Sequence, residues 1–490
     1  MKRITLLLGI VFLLFGSACT SASVTPTSTL LSPLPTSTWL PSPRPSPTFT
    51  PDTLSIPSPS LMHDLLFLSP IDMNNYMLKY WNHMTGQTEV LITGDGGDLF
   101  SGQTTAATPS RIVQYSLTAD DRKLAVVRVK EKAQGAVPAE EYELALFDLS
   151  THQITSLAKF ESLVRWASIS PDGQWVTYIL PAATPTSRAG HVAGLAISSQ
   201  YSMGDSSPGV IFALQTHAPD QKAKISECDE ECWSLSWSPD SHTIVWNGRQ
   251  GVWLASVGGT PARLIAPGKM VVVTNGRSGI YAPPAWSPDG RYLLARSRDF
   301  EVDEWGIVDT QTGHFGRLPN SHEYPRPNVH SVWLSDGRLF VVRSGEPNAN
   351  LAPSGEMWTI DPENVALLTL DKSFVIPVAP EIYPASPVQF DDGRLAFALL
   401  APSGTTHDAE SGLYVVNPSD YTPRRVSEPL PASFDVATVL ASWSPDGMVA
   451  LIHSETGPIQ RFYVPVNGIV LSSMPQLLGN GSACCFTWLK

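Results

Sequence analysis

Trp286-Ser287-Pro288-Asp289-Gly290-Arg291-Tyr292-Leu293-Leu294-Ala295-Arg296 holds an aromatic residue, a tight turn and an apolar run in one line. Asp-Gly suits a hairpin turn, because Gly is free to take positive φ and Asp hydrogen-bonds its own backbone. Pro presets φ at the turn's entry. Tyr292–Arg296 then reads as a strand. The Trp lies on the strand before the turn, where a large ring can fill the wedge between neighbouring sheets.

The unit recurs along the chain. Trp237-Ser-Pro-Asp240, Trp443-Ser-Pro-Asp446-Gly447 and Ile169-Ser-Pro-Asp172-Gly173 repeat it closely. Trp333-Leu-Ser-Asp336-Gly337, Gln389-Phe-Asp-Asp392-Gly393 and Leu117-Thr-Ala-Asp120 are weaker copies. The marker aspartates lie 47 residues (289 to 336) to 68 residues (172 to 240) apart, which suits a four-stranded propeller blade with variable loops. Leu413–Asn417 and Gly306–Asp309 read as third strands of such blades, and Arg263-Leu-Ile and Arg425-Val as fourth strands. No segment sustains helical spacing, so almost no helix is expected. An aspartate repeated at the same turn in every blade serves the turn, and a metal ring built from Asp240, Asp289, Asp336 and Asp446 is not expected.

These Trp-Ser-Pro-Asp-Gly units resemble the WD40-like repeats of the TolB-type propeller family, which also occur in the propeller domains of prolyl oligopeptidase-like peptidases. The resemblance covers about residues 61–490, and it implies an all-β propeller. The Gly-His and Trp-Asp pairs of true WD40 units are absent. Such a motif is specific for fold and poorly specific for function.

The two ends of the chain indicate how the ring shuts. Leu65–Leu68, Tyr76–Trp81 and Val90–Ile92 read as second, third and fourth strands with no opening strand before them. Phe486-Thr487-Trp488-Leu489-Lys490 stops where a Ser-Pro-Asp-Gly turn would begin. The C-terminal strand is therefore expected to supply the missing inner strand of the first blade, with Trp488 packed as the other repeat tryptophans are. A ring closed in this way leaves no exposed sheet edge between its ends. Eight blades are expected, with seven as the alternative.

Ahead of the propeller, Lys2-Arg3 and the apolar Ile4–Phe15 form a signal-like segment too short to span a membrane comfortably. Gly16-Ser17-Ala18-Cys19 resembles a bacterial lipobox, which implies a signal peptide over 1–18, lipidation of Cys19 and a membrane anchor there. Residues 19–60 are dominated by Ser, Thr and Pro, a composition that cannot bury a core and makes a stalk. The propeller domain is placed at 61–490. The expected location is the cell envelope, on the outer face of the membrane.

Composition narrows the partners. The chain of 490 residues is 42% hydrophobic with a net charge of −13, the wrong sign for neutralising nucleic-acid phosphates. A monomer with an unknown protein or glycan ligand is expected, with no nucleic-acid partner and no cofactor. Cys228 and Cys232, with three residues between them in an exported chain, suit a local disulfide. The pairing of Cys484 and Cys485 stays open. Asp95-Gly-Gly-Asp98 reads as a Gly-rich loop, not a calcium site.

In related propellers the loops before the inner strand and between the second and third strands share one face. That rule gathers four irregular segments as binding-face candidates: 181–208 with Arg188, His191 and Tyr201; Asp229-Glu230-Glu231; 403–412 with His407, Asp408 and Glu410; and 344–355. No nucleophile elbow, zinc-binding helix signature, phosphate loop or dinucleotide fingerprint occurs. The resulting expectation is a non-catalytic binding or scaffold propeller that recognises a protein, peptide or glycan through this face. Two alternatives accompany it: an enzyme of polysaccharide lyase or glycosidase type using loop carboxylates, and a structural envelope component working beside a transport or secretion complex.

Overall fold

Runs such as Leu124-Ala-Val-Val127 and Leu395-Ala-Phe-Ala-Leu-Leu400 are apolar at every position. A strand of that kind is covered on both faces, so it belongs inside a stack of sheets. The computed structural model describes residues 63–489 apart from 71–75, 86, 93–109, 133–138, 183–207, 229–231, 269, 273–284, 298–303, 322–328, 403–406, 428, 431–438, 455–459, 465–468 and 471–483. The described residues lie within the compact unit Ser58–Lys490. Cys19, the stalk, Asp95, Asp98, Arg188, His191, Tyr201 and Asp229–Glu231 fall outside the described residues.

Among the described residues the chain forms eight four-stranded antiparallel sheets. Sheet 1 joins β1 (Leu65–Pro70), β2 (Tyr76–Asn82) and β3 (Gln87–Ile92) to the last strand, β32 (Cys484–Trp488). Sheets 2 to 8 follow in chain order as four-strand meanders, starting at Ser110, Arg165, Cys232, Met270, Val329, Tyr383 and Val439. The remaining described elements are two single turns of 3-10 helix, Pro347–Ala349 and Asp408–Glu410. The all-β expectation holds, and β32 pairs with β1 through Leu65↔Trp488, Leu66↔Thr487 and Leu68↔Cys484.

Each sheet packs against the next. In sheet 2, Leu124 and Val126 meet Leu66 and Leu78 of sheet 1, while the alternating Ala125 and Val127 meet Ile169 and Tyr178 of sheet 3. A one-residue slip would exchange the two faces, so the pattern fixes the register. Further apolar clusters follow around the circle. They hold Ile179 with Trp237, Val245 with Trp286, Leu294 with Trp333, Phe340 with Phe397, and Leu413 with Trp443. The eighth cluster returns to the start, packing Leu451 of sheet 8 against Leu65, Phe67 and Trp488 of sheet 1. Each buried Trp of the repeat removes on the order of 150–250 Å², about 4–6 kcal/mol gross.

The repeat turn has one geometry in five copies. The hydroxyl of Thr118, Ser170, Ser238, Ser287 or Ser444 donates to Oδ1 of the Asp two residues on, at 2.5–2.7 Å. The same hydroxyl accepts the backbone N–H five residues on, at 2.8–3.1 Å. Gly290 closes the turn at φ 71°, and Ser241 and Asp121 hold φ 64° and 56° in copies that lack the Gly. The turns also touch across sheets: Ala119 N donates to Pro171 O, and Asp391 N to Pro445 O. They therefore share one face of the ring.

The repeat tryptophans do more than fill wedges. Trp237 Nε1 donates to Ser168 O, Trp333 Nε1 to Ala285 O, and Trp488 Nε1 to Ser442 O, each at 3.0–3.2 Å. Every acceptor is an inner-strand carbonyl of the preceding sheet, a staple the sequence reading did not anticipate. Sheet 5 departs in another way. Its inner strand β16 (Met270–Val272) pairs with the same second strand, Tyr292–Ser297, that Trp286 meets through Leu293. The sequence shows this blade only by its Trp286 turn, because 273–284 separates the two halves of the inner strand.

Candidate functional site

Meander topology sends alternate connections to opposite ends of each sheet. The repeat turns and the third-to-fourth-strand turns occupy one end, with short connections such as 118–122, 149–152 and 390–394. At the other end the longer described connections are 344–353 and 376–382, with 401–411 described apart from 403–406. This loop-rich face is the candidate site.

Its best-described part spans sheets 6 and 7. The connection 344–353 follows the second strand of sheet 6, Leu339–Arg343, and 376–382 leads from sheet 6 into sheet 7. The connection 401–411 joins the second and third strands of sheet 7, Leu395–Leu400 and Gly412–Val416. The three are interlocked. A Cβ placed on Gly345 would stand 2.6 Å from Pro380 O, so only glycine lets the two backbones approach. Ala379 N donates to Glu410 Oε2 at 2.5 Å.

Around this junction His407 stands between two carboxylates, with Nδ1 3.1 Å from Glu410 Oε1 and Nε2 3.9 Å from Glu381 Oε2. Ser411 ties the 3-10 turn down through Asp408 O and Leu430 O. Tyr414 donates its hydroxyl to Glu410 O, and burial pushes its pKa up although Arg425 works the other way. Asp408 Oδ1 is buried and accepts no hydrogen bond among the described residues. A buried acceptor left open calls for a donor, which water or a ligand can supply. Among the described residues no group of three or more His, Cys, Asp or Glu side chains is placed to hold a metal ion.

The structure thus brings together His407, Asp408 and Glu410 and adds Glu381, which the sequence reading missed. Glu381 stands just before an inner strand, and the loop rule itself would have placed it on this face. Cys228 ends the outer strand of sheet 3, Lys222–Cys228, and Cys232 opens the inner strand of sheet 4, Cys232–Trp237. Their sulfurs are bonded, with Cα atoms 6.0 Å apart and both residues buried. The bridge closes the connection that carries Asp229–Glu231. Trp237, Trp286, Trp333, Trp443 and Trp488 are core residues, 5–8% exposed, and take no part in the loop face.

No family model matches the chain, and no curated protein matches it. Its fold is similar to that of solved propellers. One is an oligogalacturonate lyase in complex with manganese, 14% identical at TM-score 0.41, covering 80% of this chain and 83% of that one. A second is TolB from Acinetobacter baumannii, 14% identical at TM-score 0.33, covering 77% and 87%. A third is the periplasmic gluconolactonase of Pseudomonas aeruginosa, 13% identical at TM-score 0.40, covering 87% and 99%. The likeness is one of fold. It corrects one expectation: the absence of a catalytic motif pointed to a chain that is not an enzyme, yet the similar structures include a lyase and a lactonase. Propellers carry their chemistry in loop residues drawn from several sheets, which leave no linear motif to find.

Proposed function

We propose that this chain is an envelope-tethered propeller that recognises a protein, peptide or glycan through the loop-rich face opposite its repeat turns. The observation that carries the reading is the sorting of connections. Short, hydrogen-bonded turns fill one face, and the long insertions gather on the other. Loops held by a rigid scaffold are where binding residues concentrate. The anchor part of the proposal rests on the signal-like segment and on Cys19.

A second reading is favoured by one observation, the Glu381–His407–Glu410 arrangement beside the open Asp408 oxygen. Two carboxylates flanking an imidazole can move a proton on a bound sugar, as glycan-cleaving sites require. The full chain applied to glycan and peptide arrays tests both readings. Binding that is lost on replacing 344–353 and 401–411 with short Gly-Ser links, and kept when Arg122 and Arg424 on the turn face become Ala, supports the loop face. Binding unaffected by the loop replacements overturns it. Cleavage of the bound glycan that stops in His407→Ala supports the second reading.

A further inference from the structure

The seam between sheets 8 and 1 is where the ring shuts, and among the described residues β32 pairs with β1 at three positions, with an irregularity between Leu66 and Leu68. Two residues immediately before β1 add a second set of ties. Leu489 N donates to Asp64 O, and His63 Nδ1 donates to Leu489 O, each at 2.9 Å. His63 Nε2 lies 3.5 Å from Asp446 Oδ2, in the repeat turn of sheet 8. That oxygen is buried and accepts no hydrogen bond among the described residues, so the imidazole faces a carboxylate with spare capacity. Asp64 is saturated on the other side. Its Oδ1 accepts His83 N at 2.7 Å and His83 Nδ1 at 2.6 Å, and its Oδ2 accepts the Tyr80 hydroxyl. His63 and Asp64 are 17% and 20% exposed, shielded enough for these contacts to count.

We propose that His63 and Asp64 form a clasp on which closure of the ring depends. The pair ties three elements: the C-terminal strand, the last repeat turn and the β2–β3 hairpin of sheet 1. Strand pairing holds Leu65–Leu68 to Cys484–Trp488, and the clasp fixes where β1 begins and β32 ends. Because Asp446 belongs to a repeat turn, the clasp sits on the turn face. The described chain therefore begins, at His63, on the turn face and away from the long loops. A pull applied to the chain at His63 loads His63 and Asp64 before it reaches β1. The role under tension rests on the tether reading, whereas the clasp itself does not.

Hydrogen exchange of the full chain, read by peptide mass spectrometry, tests the clasp. His63→Ala combined with Asp64→Ala should speed exchange at 486–489 and 65–68 by about tenfold or more, a local opening. Exchange in sheet 4, at Thr243–Gly248 and Gly251–Ser256, should stay unchanged. His63→Gln keeps an N–H for Leu489 O and should recover part of the seam protection. Unchanged exchange at the seam in the double variant would overturn the proposal, as would an equal rise in every sheet. Release of a Cys19→Ser chain from membranes supports the tether role; retention of that variant removes the tether role and leaves the clasp standing.

Discussion

Replacing Trp333 and Trp286 separately by Phe isolates the worth of the inter-sheet indole bond. Both side chains are almost equally buried, at 6% and 8% exposure, so the loss from indole to phenyl is common to the two variants. Their N–H groups differ. Trp333 Nε1 donates to Ala285 O at 3.0 Å, and Trp286 Nε1 is buried with no partner among the described residues. Removing the bonded donor costs about 0.5–1.5 kcal/mol net. Ala285 O also accepts Leu294 N at 2.9 Å, so the carbonyl keeps a partner and the cost sits at the low end. Removing the unpaired donor returns about 1–3 kcal/mol of desolvation. Trp333→Phe should therefore be less stable than Trp286→Phe by about 1.5–4 kcal/mol. Urea unfolding followed by far-ultraviolet circular dichroism reads the gap without depending on tryptophan fluorescence. Equal losses, or a larger loss at Trp286, would refute the idea that the indole N–H staples neighbouring sheets.

Glu143 and Arg128 are 4% and 8% exposed and joined at 2.7 Å across the two middle strands of sheet 2. Glu143→Gln should cost about 3–5 kcal/mol by stranding the guanidinium, and the joint change Arg128→Met with Glu143→Leu should cost less, as paired denaturation curves would show. At Glu143 burial acts upward, but Ser156, Arg128, Lys130 and Lys159 outweigh it and hold its pKa below the ordinary value. Asp120, hydrogen-bonded by Thr118, is likewise lowered, and at Asp240 the Ser238 and His242 bonds overcome burial. Groups with depressed folded pKa values stabilise above their unfolded values and lose that stability as pH falls through the folded ones, so the melting temperature should drop below about pH 4.5 and stay flat just above it. Gly447→Ala should cost more than Gly337→Ala in urea unfolding. Both have positive φ, but only at Gly447 would the new methyl meet a ring, 2.4 Å from Phe390 Cε2.

Much of the fold was legible because one turn chemistry repeats. Ser, Asp and Gly sit at fixed offsets, and their hydrogen bonds are local, so a short window of sequence contains the whole device. The ring closure was legible for a similar reason, since a blade without an opening strand and a spare strand at the other end imply each other. The indole staples were not, because donor and acceptor lie in different sheets, as with Trp237 and Ser168. Nor was the split inner strand of sheet 5, where Met270–Val272 lacks a Trp-Ser-Pro-Asp mark. On the loop face His407 and Glu410 could be named from their segment, but Glu381 joins them only through the packing of two separate connections. The clasp was invisible for the same reason: His63 and Leu489 are 426 positions apart.

The central claim is a circle of eight sheets shut by the chain's own last strand. Deleting Cys484–Lys490 and comparing thermal melts with the full chain tests it most directly. Loss of the Trp488 burial alone removes on the order of 5 kcal/mol, which for a ring of this size lowers the melting temperature by about 5 °C or more. The opened sheet 1 would also bare the edge of β1, so the truncated chain should aggregate as it melts. A lower, aggregation-prone transition is the predicted result. An unchanged melting temperature with a soluble product would contradict the closed ring.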